Sequence, residues 1–319
     1  MIKFNLQSLA FVAVCAIASA PAANAQTKIS IGEVGSGSST HWPLYAAIEK
    51  GFVAEENIKI EWIAIPSSSA VMQQTAAGSV DIGTGGLVDA LRAADKGAPV
   101  RLIRIESGPS PYQVFAIPSV KTWSDLDKKT VMIGGIKDIT RIYFEDMAKG
   151  NGLRPGQTDY IFAGATAARF AALASGSIAA TILTPPFNFR AAREGYTDLG
   201  ISANYTKSFP FTGYSVNVRW AQNNKPAIKG LLKAYTRGVD WFYDPNNRAE
   251  AIAMLVKNLK ADPQDISETY DFFTKIKLYD REGGIEASGI DELLRILKQQ
   301  GDLDGSTELS RFYDASLIK

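Results

Sequence analysis

Cysteine is all but missing from this chain. Its single thiol, Cys15, falls in an apolar stretch near the N-terminus. Beyond that stretch there is no disulfide, no cysteine nucleophile and no thiolate metal site, so a packed core must hold the fold. Histidine is equally scarce, with His41 alone, which excludes a multi-histidine metal centre. No later run is long and apolar enough to span a bilayer. Neither sign of charge dominates, since 34 basic residues stand against 33 acidic ones. That balance argues against nucleic acid or a membrane surface as partner. Walker A glycines, zinc-ligand spacing and a nucleophile elbow are absent too. The expectation is therefore no cofactor, no metal and no catalytic residue.

Residues 1–25 read as a secretory leader. Lys3 supplies the positive start, residues 9–20 the short apolar run, and Ala23-Asn24-Ala25 the small-x-small cleavage pattern. Val14 precedes Cys15, where a lipid-anchored leader wants a small residue. Cleavage between Ala25 and Gln26 is expected, and loss of Lys3 would level the charge counts.

What is present is a steady alternation of strands and helices. Residues 28–34 alternate apolar and polar and run into Gly35-Ser36-Gly37-Ser38, a strand entering a loop. Pro43 suits the first turn of a helix and Gly51 its stop. A strand over 58–65 follows. Ser67, Ser68 and Ser69 offer N-caps to a helix ending at Gly78. Next come a short strand at 80–82, a helix over 87–96 closed by Gly97, and a strand over 100–105. Helices of this length between strands predict parallel sheets with crossover helices. The stretch from Ala70 to Gly78-Ser79-Val80 matches Ala168 to Gly176-Ser177-Ile178 in class and spacing. The match suggests two similar lobes.

Residues 112–118 lead out of the first lobe. Thr122-Trp123-Ser124-Asp125 carries a capping-box pattern. Strands at 129–134, 160–162 and 178–183 alternate with helices at 140–149 and 186–193, and 211–220 reads as the return strand. Two crossings, near 112–118 and 209–216, would join the lobes. From Lys225 onward the chain is helical, with Ile228, Leu231, Leu232 and Tyr235 at helix spacing and Pro226, Pro245 and Pro263 marking segment starts.

Tyr45-Ala46-Ala47-Ile48-Glu49-Lys50-Gly51-Phe52, Gly78-Ser79-Val80-Asp81-Ile82-Gly83 and Ala94-Asp95-Lys96-Gly97-Ala98-Pro99-Val100 follow one another in an order that resembles ABC-transporter periplasmic solute-binding proteins. The likeness is to the group that takes nitrate, alkanesulfonates, taurine and thiamine-pyrimidine precursors (NMT1-like). It continues through Trp123-Ser124-Asp125-Leu126 and Ala171-Ala172-Leu173-Ala174-Ser175-Gly176. Thr184-Pro185-Pro186 resembles the Glu-Pro that commonly follows. The chain departs from the pattern at Asp138-Ile139-Thr140, where relatives often carry Gly-Ser-Thr. The resemblance implies an α/β, two-lobe type II periplasmic-binding-protein fold. Each lobe would be a mostly parallel sheet flanked by helices, with the C-terminal helices on lobe 1. Lobe 1 would take 26–115 and 212–319, and lobe 2 would take 116–211. It also implies a periplasmic, monomeric protein whose partners are a small-molecule ligand, a membrane permease and its ATPase.

Ligands of open parallel sheets sit outside the carboxyl ends of the strands. That rule selects Ser38, Ser39, His41 and Trp42, then Ser67 and Ser68, then Thr84-Gly85-Gly86. In the second lobe it selects Asp138, Thr140, Arg141, Thr166, Thr184 and Phe187. Tyr112 and Tyr214 are candidate aromatic walls at the crossings. Helix-start N–H groups favour an anionic ligand, and Arg141 is the cationic candidate for it. A small organic anion, sulfonate or carboxylate, is the expected ligand, with a neutral pyrimidine as the alternative. A precursor-making enzyme of the same fold, or a sensor using the same lobes, are the other classes.

Overall fold

The alternation becomes two five-stranded mixed sheets. The computed structural model describes residues 26–154, 156–206, 210–285 and 289–317. The leader, its cleavage pattern and Cys15 lie outside the described residues. The chain runs β1 (Thr27–Val34), α1 (Trp42–Glu49), α2 (Phe52–Glu55), β2 (Ile58–Ile65), α3 (Ser68–Ala77), β3 (Ile82–Gly86), α4 (Leu87–Asp95) and β4 (Val100–Ser107). It then makes β5 (Gln113–Ala116), β6 (Thr130–Ile133), α5 (Ile139–Gly150), β7 (Asp159–Phe162), α6 (Thr166–Ala174), β8 (Ala180–Leu183), α7 (Phe187–Arg193) and β9 (Thr197–Ile201). It returns as β10 (Thr212–Asn217) and ends in α8 (Val218–Asn223), α9 (Lys225–Tyr243), α10 (Arg248–Leu259), α11 (Pro263–Ile276) and α12 (Ile290–Gln299).

The first sheet has the order β2-β1-β3-β10-β4 and the second β7-β6-β8-β5-β9. β1 pairs in parallel with β2 and β3, while β10 runs antiparallel between β3 and β4. In the second sheet β6 pairs in parallel with β7 and β8, and β5 runs antiparallel between β8 and β9. β5 is the strand by which the chain enters the second sheet, and β10 is the one by which it returns to the first. The segments expected to be crossings are therefore in-sheet strands. The chain changes sheet earlier, over 108–112 and again between Ile201 and Thr212.

Local signals act where the sequence places them. The Ser67 hydroxyl accepts from the Ala70 N–H at the start of α3, and Gly78 ends it at φ 79°. The Thr122–Asp125 capping box forms. α3 lies so close on β3 that a Cβ at Gly83 would come within 2.3 Å of Thr75 Oγ1. Only glycine fits there. The first lobe's core gathers apolar residues of β1, β3 and β10 under α1, α9, α10 and α11. Trp42, expected as a cleft wall, is instead buried in this core, its ring 5.9 Å from Phe273 and 6.4 Å from Phe242. Trp42 is the first residue of α1, with Pro43 in the same turn, and its indole faces the helices, so the apolar side chain takes the core position. The C-terminal helices lie on the first lobe, but α11 also reaches α7 of the second.

Candidate functional site

The carboxyl ends of both sheets' parallel strands face one cavity of about 170 Å³. Its walls come from the loops after β1, β3, β6, β7 and β8, the start of α3, and the two sheet-changing segments. Of the residues selected from sequence, Ser38, Ser39, His41, Ser68, Gly85, Gly86, Tyr112, Asp138, Thr166, Thr184 and Phe187 line it. Phe211 and Thr212 also line it. The sequence reading passed over them as return strand, although an aromatic beside a predicted crossing was the available signal. The lobes touch around the cavity, with Ser39 Oγ donating to the Pro185 carbonyl at 3.0 Å.

Several selected residues lie elsewhere, each for a physical reason. Thr84 is in strand β3 rather than in a loop, fully buried, and its hydroxyl donates to the Gly32 carbonyl at 3.0 Å. Ser67 is occupied as the cap of α3. The Thr140 hydroxyl donates to Asp138 Oδ1 at 2.6 Å and accepts from the Gly134 N–H at 2.7 Å, which closes the α5 cap. Tyr214 is buried under the floor. Arg141 turns away from the cavity. It pairs with Glu145 one helical turn on at 2.7 Å, donates to the Ile136 carbonyl, and keeps its side chain 38% exposed. An i,i+4 carboxylate on the same helix face is within easier reach than the cleft.

The floor on the first-lobe side is a buried charged network. His41 Nδ1 lies 2.6 Å from Glu106 Oε1, and His41 Nε2 lies 2.8 Å from Thr84 Oγ1. With the Thr84 proton given to Gly32 and Glu106 as a carboxylate, both ring nitrogens donate, a pattern that fits an imidazolium. Burial pulls the imidazole pKa down, but the charge and hydrogen bond of Glu106, helped by Glu33, outweigh it and the net shift is upward. Glu106 also accepts from Tyr214 at 2.9 Å and from Thr212 at 3.1 Å. His41 thus reaches the cavity wall with both ring nitrogens engaged. Glu33, also buried, takes the Gly37 and Ser38 N–H groups at 3.0 and 3.1 Å, so these amides are not free for a ligand.

The second-lobe wall is organised by a residue the sequence reading missed. Arg169 of α6 is wholly buried. It donates to the carbonyls of Ile182 (2.8 Å), Ala163 (2.9 Å) and Gly164 (2.6 Å), and to Thr166 Oγ1 at 2.8 Å. Its position on an alanine-rich helix face gave no hint of burial, and the only signal was an arginine one turn after a cleft loop. Burial pushes the Tyr112 hydroxyl up to about 12, against a downward pull from Arg169 and with Asp138 adding to the rise. Tyr112 stays a protonated donor. Asp89, in the first turn of α4, has a carboxyl pushed up to about 7, mainly by burial and then by Asp138 across the seam.

A family model described as NMT1/THI5 like matches residues 38–249. A curated relative, the 4-amino-5-hydroxymethyl-2-methylpyrimidine phosphate synthase of Candida albicans, is 24% identical over 215 residues, which is 63% of this chain and 63% of the relative. The chain thus spans under two thirds of that relative's length. Two solved structures share the fold. The alkanesulfonate-binding protein SsuA from Xanthomonas axonopodis pv. citri, bound to MOPS, has a TM-score of 0.72 at 16% identity over 92% of this chain and 98% of its own. The periplasmic nitrate-binding protein NrtA from Synechocystis PCC 6803 has a TM-score of 0.71 at 17% identity over 92% of this chain and 87% of its own. The fold is the periplasmic-binding-protein fold, and the matched segment covers most of both sheets: the chain belongs to the NMT1/THI5-like family.

Proposed function

We propose that this protein is the solute-capturing component of an ABC importer, a binder and not an enzyme. In this reading it takes a small organic anion, a carboxylate or sulfonate, between its lobes and presents it to a membrane permease driven by an ATPase. The observation that carries the reading is the cavity itself. Helices α3, α4, α5 and α6 all start at or beside it, α4 and α6 without a side-chain cap, and the partial positive charge of these starts favours an anionic group. Tyr112, Phe187 and Phe211 supply apolar walls. The polar groups that could do chemistry are held in place: His41 is locked to Glu106 and Thr84, which supports binding over catalysis. The protein is proposed to work as a monomer in the periplasm after losing residues 1–25.

A second reading is favoured by Asp138, whose carboxylate lines the cavity at the start of α5. A carboxylate there suits a neutral solute with N–H donors, such as a pyrimidine. A thermal-shift screen over sulfonates, carboxylates, nitrate and aminopyrimidines separates the two. Stabilisation by anions supports the first, and stabilisation by pyrimidines alone replaces it with the second. Small-angle scattering with a hit at saturation should give a radius of gyration no larger than without it, as hinge closure requires. Mass spectrometry of protein recovered from the periplasm should find Gln26 as the first residue, and an intact N-terminus would overturn the proposed export.

A further inference from the structure

Arg169 is a buried cation without a counter-ion. A guanidinium cannot lose its proton, and an isolated buried charge costs several kcal/mol unless something answers it. Its hydrogen-bond partners are three main-chain carbonyls and the Thr166 hydroxyl, and it lies over the Tyr112 ring; among the described residues no carboxylate joins them. Asp138 is felt at the Tyr112 hydroxyl, but its Oδ1 is occupied by Thr140 and it makes no ion pair with Arg169. The other arginine buried without a carboxylate, Arg104, stacks on Tyr235 at 4.5 Å and lines a surface groove. Arg169 lies farther from its ring, 5.8 Å over Tyr112, and is wholly buried. It stands behind Gly164, Thr166 and Tyr112, which line the cavity.

Proton counting gives this wall a direction. A guanidinium only donates, so Thr166 Oγ1 acts as an acceptor toward it. The Thr166 hydrogen is then left for another acceptor. Thr166 shares one contact with Thr184 Oγ1 at 3.2 Å, and whichever of the two donates, one hydrogen of the pair remains. The wall therefore offers O–H donors backed by a fixed positive charge.

We infer that Arg169 is the specificity-determining residue of the site: a positioning residue that never touches the ligand, yet fixes the Thr166 hydroxyl as a donor and makes an anionic group the missing counter-charge. This deepens the reading of the protein as a binder of organic anions and rests on it.

The test compares each anion with its neutral isostere on the full mature chain: methanesulfonate with methanesulfonamide, propionate with propionamide, and benzoate with benzamide, by calorimetry and thermal shift. Wild-type protein should prefer at least one anion over its isostere. Arg169→Gln should lose that preference by about tenfold or more, the effect of removing a hydrogen-bonded charge, while Arg169→Lys should keep part of it. A purely structural arginine would weaken both members of a pair alike. Because Arg169→Gln can fail to fold, Thr166→Val carries the same test, reducing the anion-to-neutral ratio several-fold. Anion preference that survives all these variants overturns the inference and leaves the anion reading standing. Binding of neutral isosteres only, or of no member of any pair, overturns both.

Discussion

The two faces of the cleft solve the same problem differently. On the first-lobe side the buried cation, His41, has its anion, Glu106, at 2.6 Å. On the second-lobe side the buried cation, Arg169, has three carbonyls and one hydroxyl instead. The first face pairs its cation and carries a second buried carboxylate, Glu33, so it offers a ligand no unanswered positive charge. The second leaves its cation unanswered, and in the proposed reading this makes ligand charge the concern of one lobe, although both lobes line the cavity.

Breaking the first face should have the largest effect on stability. Glu106→Gln leaves the His41 imidazolium buried without its counter-ion, a loss of about 3–5 kcal/mol. Urea unfolding should show a lower midpoint at unchanged slope. The pH dependence follows from the raised His41 pKa. The stability from this pair is complete below the ordinary histidine value of about 6.5, and is lost as pH rises through the higher folded value. The variant should be flatter in that alkaline window.

The seam between the faces comes next. Asp89 Oδ2 is buried without a hydrogen-bond partner, and Asp138 faces it from the second lobe with Ser68 and Arg92 as the other neighbours acting on it. Its carboxyl titrates near 7 in the folded chain. Stability should be highest at acid pH and fall as pH rises from the ordinary carboxylate range toward 7. Asp89→Asn should abolish that fall and gain on the order of 2 kcal/mol at pH 8. Thermal melts from pH 4 to 8 decide it; parallel pH profiles for the two proteins would refute the seam's role.

A clasp on the far side joins the lobes more weakly. Asp265 of α11 is buried and accepts from Arg190 and Arg193 of α7, whose side chains are about a third exposed. With that exposure discounted, Asp265→Ala should cost about 1–2 kcal/mol and raise the radius of gyration by small-angle scattering. The smallest effect belongs to Arg141→Ala. This exposed arginine sits outside the cavity, so stability should change by less than about 0.5 kcal/mol and affinity for any ligand found should be unchanged. A large loss of affinity would return the cation role to Arg141 and sharpen the question of what Arg169 does.

Much of the fold was legible in the sequence. Gly78 ending α3, the Thr122–Asp125 capping box, and the strand over 58–65 all rest on chemistry within a few residues. β9 was missed because Thr197–Ile201 is short and polar and is strand only through β5. The crossings were shifted because an extended segment looks alike whether it bridges two sheets or joins one. In the site, the carboxyl-end rule found most of the lining. It could not tell which loop hydroxyls face in, as Thr140 and Thr166 demonstrate. Nor could it see that His41 and Arg169 would be buried, since their partners, Glu106 and the carbonyls of 163, 164 and 182, are remote in sequence or carry no side-chain signature.

The antiparallel strands also bear on the order of assembly. The second sheet is built from one continuous stretch, Gln113 to Ile201. The first needs β10, inserted between β3 and β4, before it is a single sheet. A chain emerging N-terminus first can therefore finish its second lobe while the first is still divided in two. Long sequence separation slows pairing, so the lobe begun first should be the last to lock. Pulse-labelled hydrogen exchange during refolding should protect β6 and β8 before β3 and β4.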